Sequence, residues 1–87
     1  MPNTRSAAKR VRTSQKRRAY NRAIKSRVKT LIKRFEEAVR GGEKELALER
    51  FRMAASALDR AAIKGVVHKN LAARKKSRMA SKLASLS

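Results

Sequence analysis

The 87-residue sequence has no cysteine and no tryptophan, and only one histidine, one proline and one tyrosine. Without cysteine the chain can form neither a disulfide nor a thiolate metal site, and nothing in it argues for secretion. A single histidine supplies too few ligands for a metal site. No apolar run approaches the roughly 18 residues of a membrane span, and the N-terminus lacks the apolar segment of a secretory signal.

Residues that could carry catalytic chemistry are equally scarce. His68 is a candidate general base, but packing at a chain corner or a contact to phosphate would explain it as well. No glycine-rich phosphate loop follows a strand, and the six acidic residues have no obvious base partner. We therefore expect that the protein is not an enzyme and takes no cofactor and no small-molecule substrate.

The acidic residues are confined to the middle of the chain. Residues 1–34 contain 13 Lys/Arg and no acid, residues 35–63 contain 5 Lys/Arg and all 6 acids, and residues 64–87 contain 7 Lys/Arg and no acid. The formal net charge of +19 destabilises a compact state by self-repulsion. This charge pattern predicts a polyanionic partner. Nucleic acid is the first candidate and an anionic membrane surface the second.

The first predicted helix covers residues 14–40, which contain no Gly or Pro, with Ser14 as a plausible N-cap. Its apolar stripe, stepping by three or four residues, contains Tyr20, Ile24, Val28, Leu31, Phe35 and Val39. A basic ridge on its far side contains Arg18, Arg22, Lys25, Lys29 and Lys33. One turn before Tyr20 the stripe continues as cations, so the helix should run past the core. Residues 1–13 are expected to form a basic N-terminal arm, which is either frayed or disordered on its own or the start of a long helix that orders on its partner.

Two further helices are predicted, at residues 43–64 and 68–84. Gly41-Gly42 separates the first two helices, and Gly65 suits the left-handed end of the second. The apolar stripe of the second helix contains Leu48, Phe51, Ala55, Leu58 and Ala62, and that of the third contains Ala72, Met79, Leu83 and Leu86 around Lys76. No convincing N-cap precedes the third helix. The sequence thus predicts an all-α fold, an antiparallel three-helix bundle in one domain (residues 1–87), with a long basic first helix.

The corner between the second and third helices is rich in cations. His68, Lys69 and Asn70 lie where backbone N–H groups can contact phosphates; the alternative is a solvated turn in which Asn70 bonds its own backbone. Tyr20 is also open to two interpretations. Its place in the stripe favours packing at the edge of the core, but it can also stack on a base.

A structured RNA fits this charge distribution better than DNA or a membrane does. Sequence-specific DNA reading usually needs a recognition helix and a dimer seam, and neither is evident. The best apolar faces are committed to the bundle, whereas a membrane-surface helix leaves such a face free. RNA presents phosphates on several helices and suits a protein that is cationic on several faces.

Two stretches of the sequence resemble a known family. The run KGVVHKN at residues 64–70, followed by AARKKSR at residues 72–78, resembles the signature of the bacterial small-subunit ribosomal protein number twenty (the bS20 family). Asn3, the pairs at residues 6–7 and 9–10, Asn21 and the run RVKTLIK at residues 27–33 are similar to the same family. The resemblance covers roughly residues 3–84, and it departs at Ala8, where many members carry lysine.

The resemblance implies a three-helix bundle that binds 16S ribosomal RNA directly, at its 5′ domain and at the long stem of its 3′ minor domain, with other ribosomal proteins only peripheral. It places near RNA the first-helix residues Lys9, Arg10, Arg17, Asn21, Arg27, Lys29 and Lys33 and the corner residues Lys64, His68, Lys69, Asn70, Arg74, Lys76 and Arg78. To these the charge pattern adds Lys16, Arg18, Arg22, Lys25 and Lys75.

The sequence therefore predicts a structural protein of the small ribosomal subunit, located on the cytoplasmic or an organellar ribosome. Its expected mechanism is counter-charge, in which a basic helix and a basic corner bridge RNA segments that would otherwise repel. A nucleoid-type DNA-packaging protein is the alternative, and a membrane-active peptide ranks third.

Overall fold

The computed structural model describes the backbone of residues 2–86 and the side chains of residues 7–86. Within these residues the chain forms three helices and no strand: α1 (Pro2–Arg40), α2 (Lys44–Ile63) and α3 (Lys69–Ala84). The sequence predicts helices at residues 14–40, 43–64 and 68–84, inside one domain of residues 1–87. Met1 and Ser87 of that domain lie outside the described residues.

The first helix begins earlier than expected and includes the segment predicted as a basic arm. Pro2 stands at the first helical position, where its fixed φ suits the helix and its missing N–H costs no hydrogen bond. Residues 3–40 contain no further Gly or Pro and many good helix formers. Ser14, the expected N-cap, lies within the helix. The 39 residues of α1 extend about 58 Å at about 1.5 Å per residue.

Both connections contain a glycine in the left-handed region. At the end of α1, Gly42 has φ +69°, and the N–H groups of Gly42 and Glu43 bond the carbonyls of Val39 and Ala38 at 3.0 and 3.1 Å. At the end of α2, Gly65 has φ +75°, and two backbone hydrogen bonds of the same pattern close this helix end. This is the Schellman arrangement, which satisfies carbonyls that a helix end leaves free.

The three helices pack as an antiparallel bundle with α2 between the other two. Leu48 of α2 lies beside Leu83 of α3, at opposite ends of their helices, and Glu36 of α1 reaches Lys82 of α3. The buried core contains no polar side chain within residues 7–86; it consists of Val28, Leu31, Phe35, Ala38, Ala47, Ala54, Leu58, Ala61, Ala72 and Met79. The Cα positions span 67 × 21 × 13 Å, so the bundle is long and flat.

The apolar surface of α2 is wider than predicted. Its fully buried alanines, Ala47, Ala54 and Ala61, were missing from the expected stripe, whereas the predicted Leu48 is 38% exposed. A helix packed between two neighbours needs two apolar faces, and a single-stripe pattern identifies only one. Small side chains on this wider surface allow a neighbouring helix to approach closely. None of the described helices combines the length and apolar composition needed to cross a membrane.

Candidate nucleic-acid interface

The predicted RNA-binding residues lie on the surface. Lys75 and Lys76 are half-buried, and the other seventeen are exposed. Exposure leaves the ammonium and guanidinium groups able to meet phosphates without a large desolvation cost. Most of these residues lie at three places on the molecule: the N-terminal turns of α1, the ridge along α1, and the corner with the start of α3. Arg27 lies instead in the groove between α1 and α2, which Lys64 also lines.

The N-terminal turns of α1 continue the core stripe as a cationic surface. Lys9, Arg10 and Arg17 line a shallow hollow of about 480 Å³ together with two hydroxyl side chains, Thr13 and Ser14. Arg10 and Arg17 are seven residues apart and stand on the helix face that points into the core further along. Because α1 outruns its partners here, no apolar surface covers this face. We name this cluster the arm patch.

The basic ridge of α1 lies on the side of the molecule where α3 packs. Glu36 follows Lys33 by three residues and Lys29 by seven, so it shares their helix face. Its carboxylate accepts a hydrogen bond from the Nζ of Lys82 on α3 at 3.2 Å. This pair therefore shows which way the ridge points. Lys82 of α3 therefore lies toward the ridge, whereas Lys76 of α3 lies toward Asp59 of α2.

The corner holds His68 in a role that the sequence analysis missed. His68 is the N-cap of α3, and its Nδ1 accepts a hydrogen bond from the backbone N–H of Asn70 at 3.1 Å. Histidine is not among the preferred N-caps, so composition did not signal it. His68 and Lys69 also line a shallow hollow of about 470 Å³ with Gly65. The Nε2 atom of the imidazole takes no part in this capping hydrogen bond.

Tyr20 connects the middle of α1 to the same corner. The Nζ of Lys64 donates a hydrogen bond to the Tyr20 hydroxyl at 2.9 Å and lies 5.5 Å from the ring centroid. The Tyr20 side chain is 52% exposed, so its preferred interpretation as a residue at the edge of the core is wrong. The contact brings two predicted regions, α1 and the corner, against each other.

The cations of α3 differ in whether they form an ion pair with another helix. Lys76 donates to Asp59 of α2 at 2.9 Å, which ties α3 to α2. Arg74 and Arg78 are exposed. Both ion pairs of the described side chains, Lys76–Asp59 and Lys82–Glu36, are about half exposed, so each contributes at most about 1 kcal/mol after solvent screening.

The predicted set leaves out exposed cations of α1. Arg12 and Arg34 are exposed and lie in the same acid-free stretch as the residues that were named. The absence of acids between residues 1 and 34 was the signal that could have included them. Among the described residues no group of three or more His, Asp or Glu could hold a metal ion. The surface thus offers cations, hydroxyls and one half-exposed aromatic ring, which are groups that bind phosphates, sugars and bases.

Comparison with known proteins shows the family of this chain. The family model described as Ribosomal protein S20 matches residues 2–84. A protein of Shouchella clausii named small ribosomal subunit protein bS20 is 53% identical over 87 residues, covering 100% of this chain and 99% of the relative. Proteins of the same name from Geobacillus thermodenitrificans and Clostridium perfringens are 51% and 53% identical, with at least 95% of each chain covered. The chain therefore belongs to the ribosomal protein S20 family of the small subunit, a family of structural proteins that are not enzymes.

Proposed function

We propose that this protein binds 16S ribosomal RNA directly, through phosphate and shape contacts, and stabilises the fold of the RNA within the bacterial small ribosomal subunit. The observation that carries the proposal is the placement of acid-free cationic surface on a helix that outruns its own core. Intrahelical electrostatics do not explain this placement, because the cations crowd the N-terminal half of α1, where the helix dipole favours anions. An external polyanion supplies the missing counter-charge.

The three groups of cations suit a partner that approaches from more than one direction. The ridge of α1 and Lys82 of α3 lie on one side, and the arm patch extends past the bundle. Such a surface can hold RNA segments together by screening the repulsion between their phosphates. The resemblance to the family supports the 5′ domain and the stem of the 3′ minor domain as those segments, with other ribosomal proteins peripheral.

Binding to folded 16S RNA and to a random DNA duplex of equal charge, measured over a salt series, tests this function. We expect a steep salt dependence for both, because each neutralised phosphate contributes about 0.7–0.9 to the slope of log K against log salt. A large preference for the RNA should persist at high salt. Equal affinity for both polymers would refute the proposal and favour a DNA-packaging protein, and disruption of anionic vesicles would favour a membrane-active peptide.

The corner is tested by replacing Lys69, Arg74 and Arg78 with Ala together. All three side chains are exposed, so each replacement should change the free energy of unfolding by less than about 0.5 kcal/mol, measured by thermal unfolding. Lys69 occupies the first turn of α3, where a cation is unfavourable, and its loss should cost no stability. RNA affinity should fall by at least about tenfold. Unfolding of this variant would show that the corner is structural instead.

A further inference from the structure

The groove between α1 and α2 carries a group of cations that the charge pattern of the middle segment concealed. Arg27 of α1 lines it together with Arg52, Arg60 and Lys64 on the α2 side. All four are exposed, and within residues 7–86 no side chain of α3 reaches this groove. Its volume of about 460 Å³ is in the range of sites that enclose a small ligand or part of a larger one.

Acidic side chains are absent from this groove among the residues that the structure describes. Three of the acids of the middle segment, Glu43, Glu45 and Glu49, stand before or in the first turns of α2, whereas Arg52, Arg60 and Lys64 follow them further along α2 and just past its end. Asp59 is the acid nearest to them in sequence, and its carboxylate is occupied by Lys76 on the α3 side at 2.9 Å. The near-neutral total of residues 35–63 thus hides a locally cationic surface.

The floor of the groove is apolar and partly open. Met53 is 40% exposed there, and Ile24 is half-buried beside it. A methionine is unbranched and adapts its shape to what it contacts. Guanidinium groups around an apolar floor match the two parts of a nucleotide, since the phosphates are anionic and the sugar and base offer faces for packing.

The groove is continuous with the arm patch. Tyr20 precedes Ile24 by four residues and follows Arg17 by three, so the three share one face of α1. Tyr20 is also in contact with Lys64, which lines the groove. From residue 9 to residue 31 this track measures about 33 Å at about 1.5 Å per residue. A track of this length fits an extended polyanion and greatly exceeds a single small anion.

We propose that the α1–α2 groove is a second RNA-binding site, which takes an RNA strand with its phosphates at Arg52 and Arg60 and a sugar or base against Met53. The site lies on the side of the molecule away from α3. Neither the charge pattern nor the family resemblance assigned a role to Arg52 or Arg60. The proposal rests on the proposed function, because the strand it takes belongs to the same folded RNA.

The test compares two pairs of substitutions that remove equal charge. Arg52→Gln with Arg60→Gln should weaken binding to folded 16S RNA about tenfold and reduce the slope of log K against log salt by about 1.5 units, since two phosphate contacts are lost. The matched control, Arg40→Gln with Lys44→Gln, removes two exposed cations at the opposite end of α2 and should change affinity less than about twofold. Equal losses in the two pairs would overturn the proposal.

A second measurement identifies the occupant. The natural chain has no cysteine, so Ser56→Cys places a single thiol in the groove for a photo-crosslinker. In the assembled small subunit we expect crosslinks to RNA. Crosslinks to another ribosomal protein alone would overturn the proposal and identify a protein partner instead.

The corner triple variant separates failure of this site from failure of the proposed function. If the corner variant weakens RNA binding and the groove pair does not, the second site is wrong and the proposed function stands. If neither variant weakens binding while the preference for RNA persists, both assigned surfaces are wrong. Loss of that preference in the parent protein is the result that refutes the proposed function. The thermal unfolding of each variant, measured in parallel, shows whether a loss of binding comes from loss of fold.

Discussion

Replacing Phe35 with Ala should destabilise the free protein more than any substitution on its surface. Phe35 is fully buried on α1, and its ring packs against that of Phe51 on α2 with a centroid distance of 6.0 Å and an interplanar angle of 55°. These are the only two phenylalanines in a sequence without tryptophan. Their contact therefore joins α1 to α2 where the core has its largest side chains.

The magnitude follows from three terms. Burial of a phenylalanine side chain contributes about 1.5–3 kcal/mol, and a tilted aromatic pair adds about 0.5–1.5 kcal/mol. Alanine has a higher helix propensity than phenylalanine, which offsets about 0.5 kcal/mol of this loss of stability. The cavity left behind adds a further cost. The sum agrees with the 3–5 kcal/mol typical of Phe→Ala in a core. An 87-residue domain has a total stability of about 4–13 kcal/mol, so most of it could be lost.

Urea unfolding followed by far-UV circular dichroism measures this change, in about 0.2 M salt so that repulsion among the exposed cations is screened. The midpoint of thermal unfolding should fall by at least about 12 °C. Ile63→Ala is the matched control, because Ile63 also loses apolar atoms but is 85% exposed; it should change stability by less than about 0.5 kcal/mol. A Phe35→Ala variant within 1 kcal/mol of the parent would refute the packing of α1 on α2.

Two further substitutions probe the connections. Gly42→Ala should lower the free energy of unfolding by about 1 kcal/mol because φ is +69°, although no atom lies within 4 Å of the added Cβ. The control, Gly41→Ala, places its Cβ in ordinary contact with its neighbours and should be neutral or slightly stabilising. Equal urea midpoints for the two variants would contradict the left-handed turn. His68→Ala should lower the free energy of unfolding by about 0.5–2 kcal/mol because the α3 cap is lost, whereas His68→Asn should retain most of the stability. A similar loss in both variants would argue that the imidazole does not act as the cap.

The residues that the sequence predicted least well lie where two helices meet. The stripe assigned to α2 missed Ala47, Ala54 and Ala61, because alanine signals helix formation without indicating which face is buried. Tyr20 stands in register with the core residues of α1, yet it is half exposed because α2 ends at Ile63 and leaves nothing apolar to cover it. Periodicity shows which residues share a face, but the length of the neighbouring helix decides whether that face is covered.

The sequence alone determined the three helices, the glycine-containing ends of α1 and α2 and the cationic surface, because each depends on local propensity, backbone freedom and charge along the chain. It also contained the motifs that resemble the family to which the chain belongs. Only the tertiary structure decided which cations lie together. The pairs Asp59–Lys76 and Glu36–Lys82 join residues 17 and 46 positions apart, and the groove combines Arg27 with Arg52 and Arg60. Such combinations depend on how helices pack across long separations, which a count of charges along the chain does not contain.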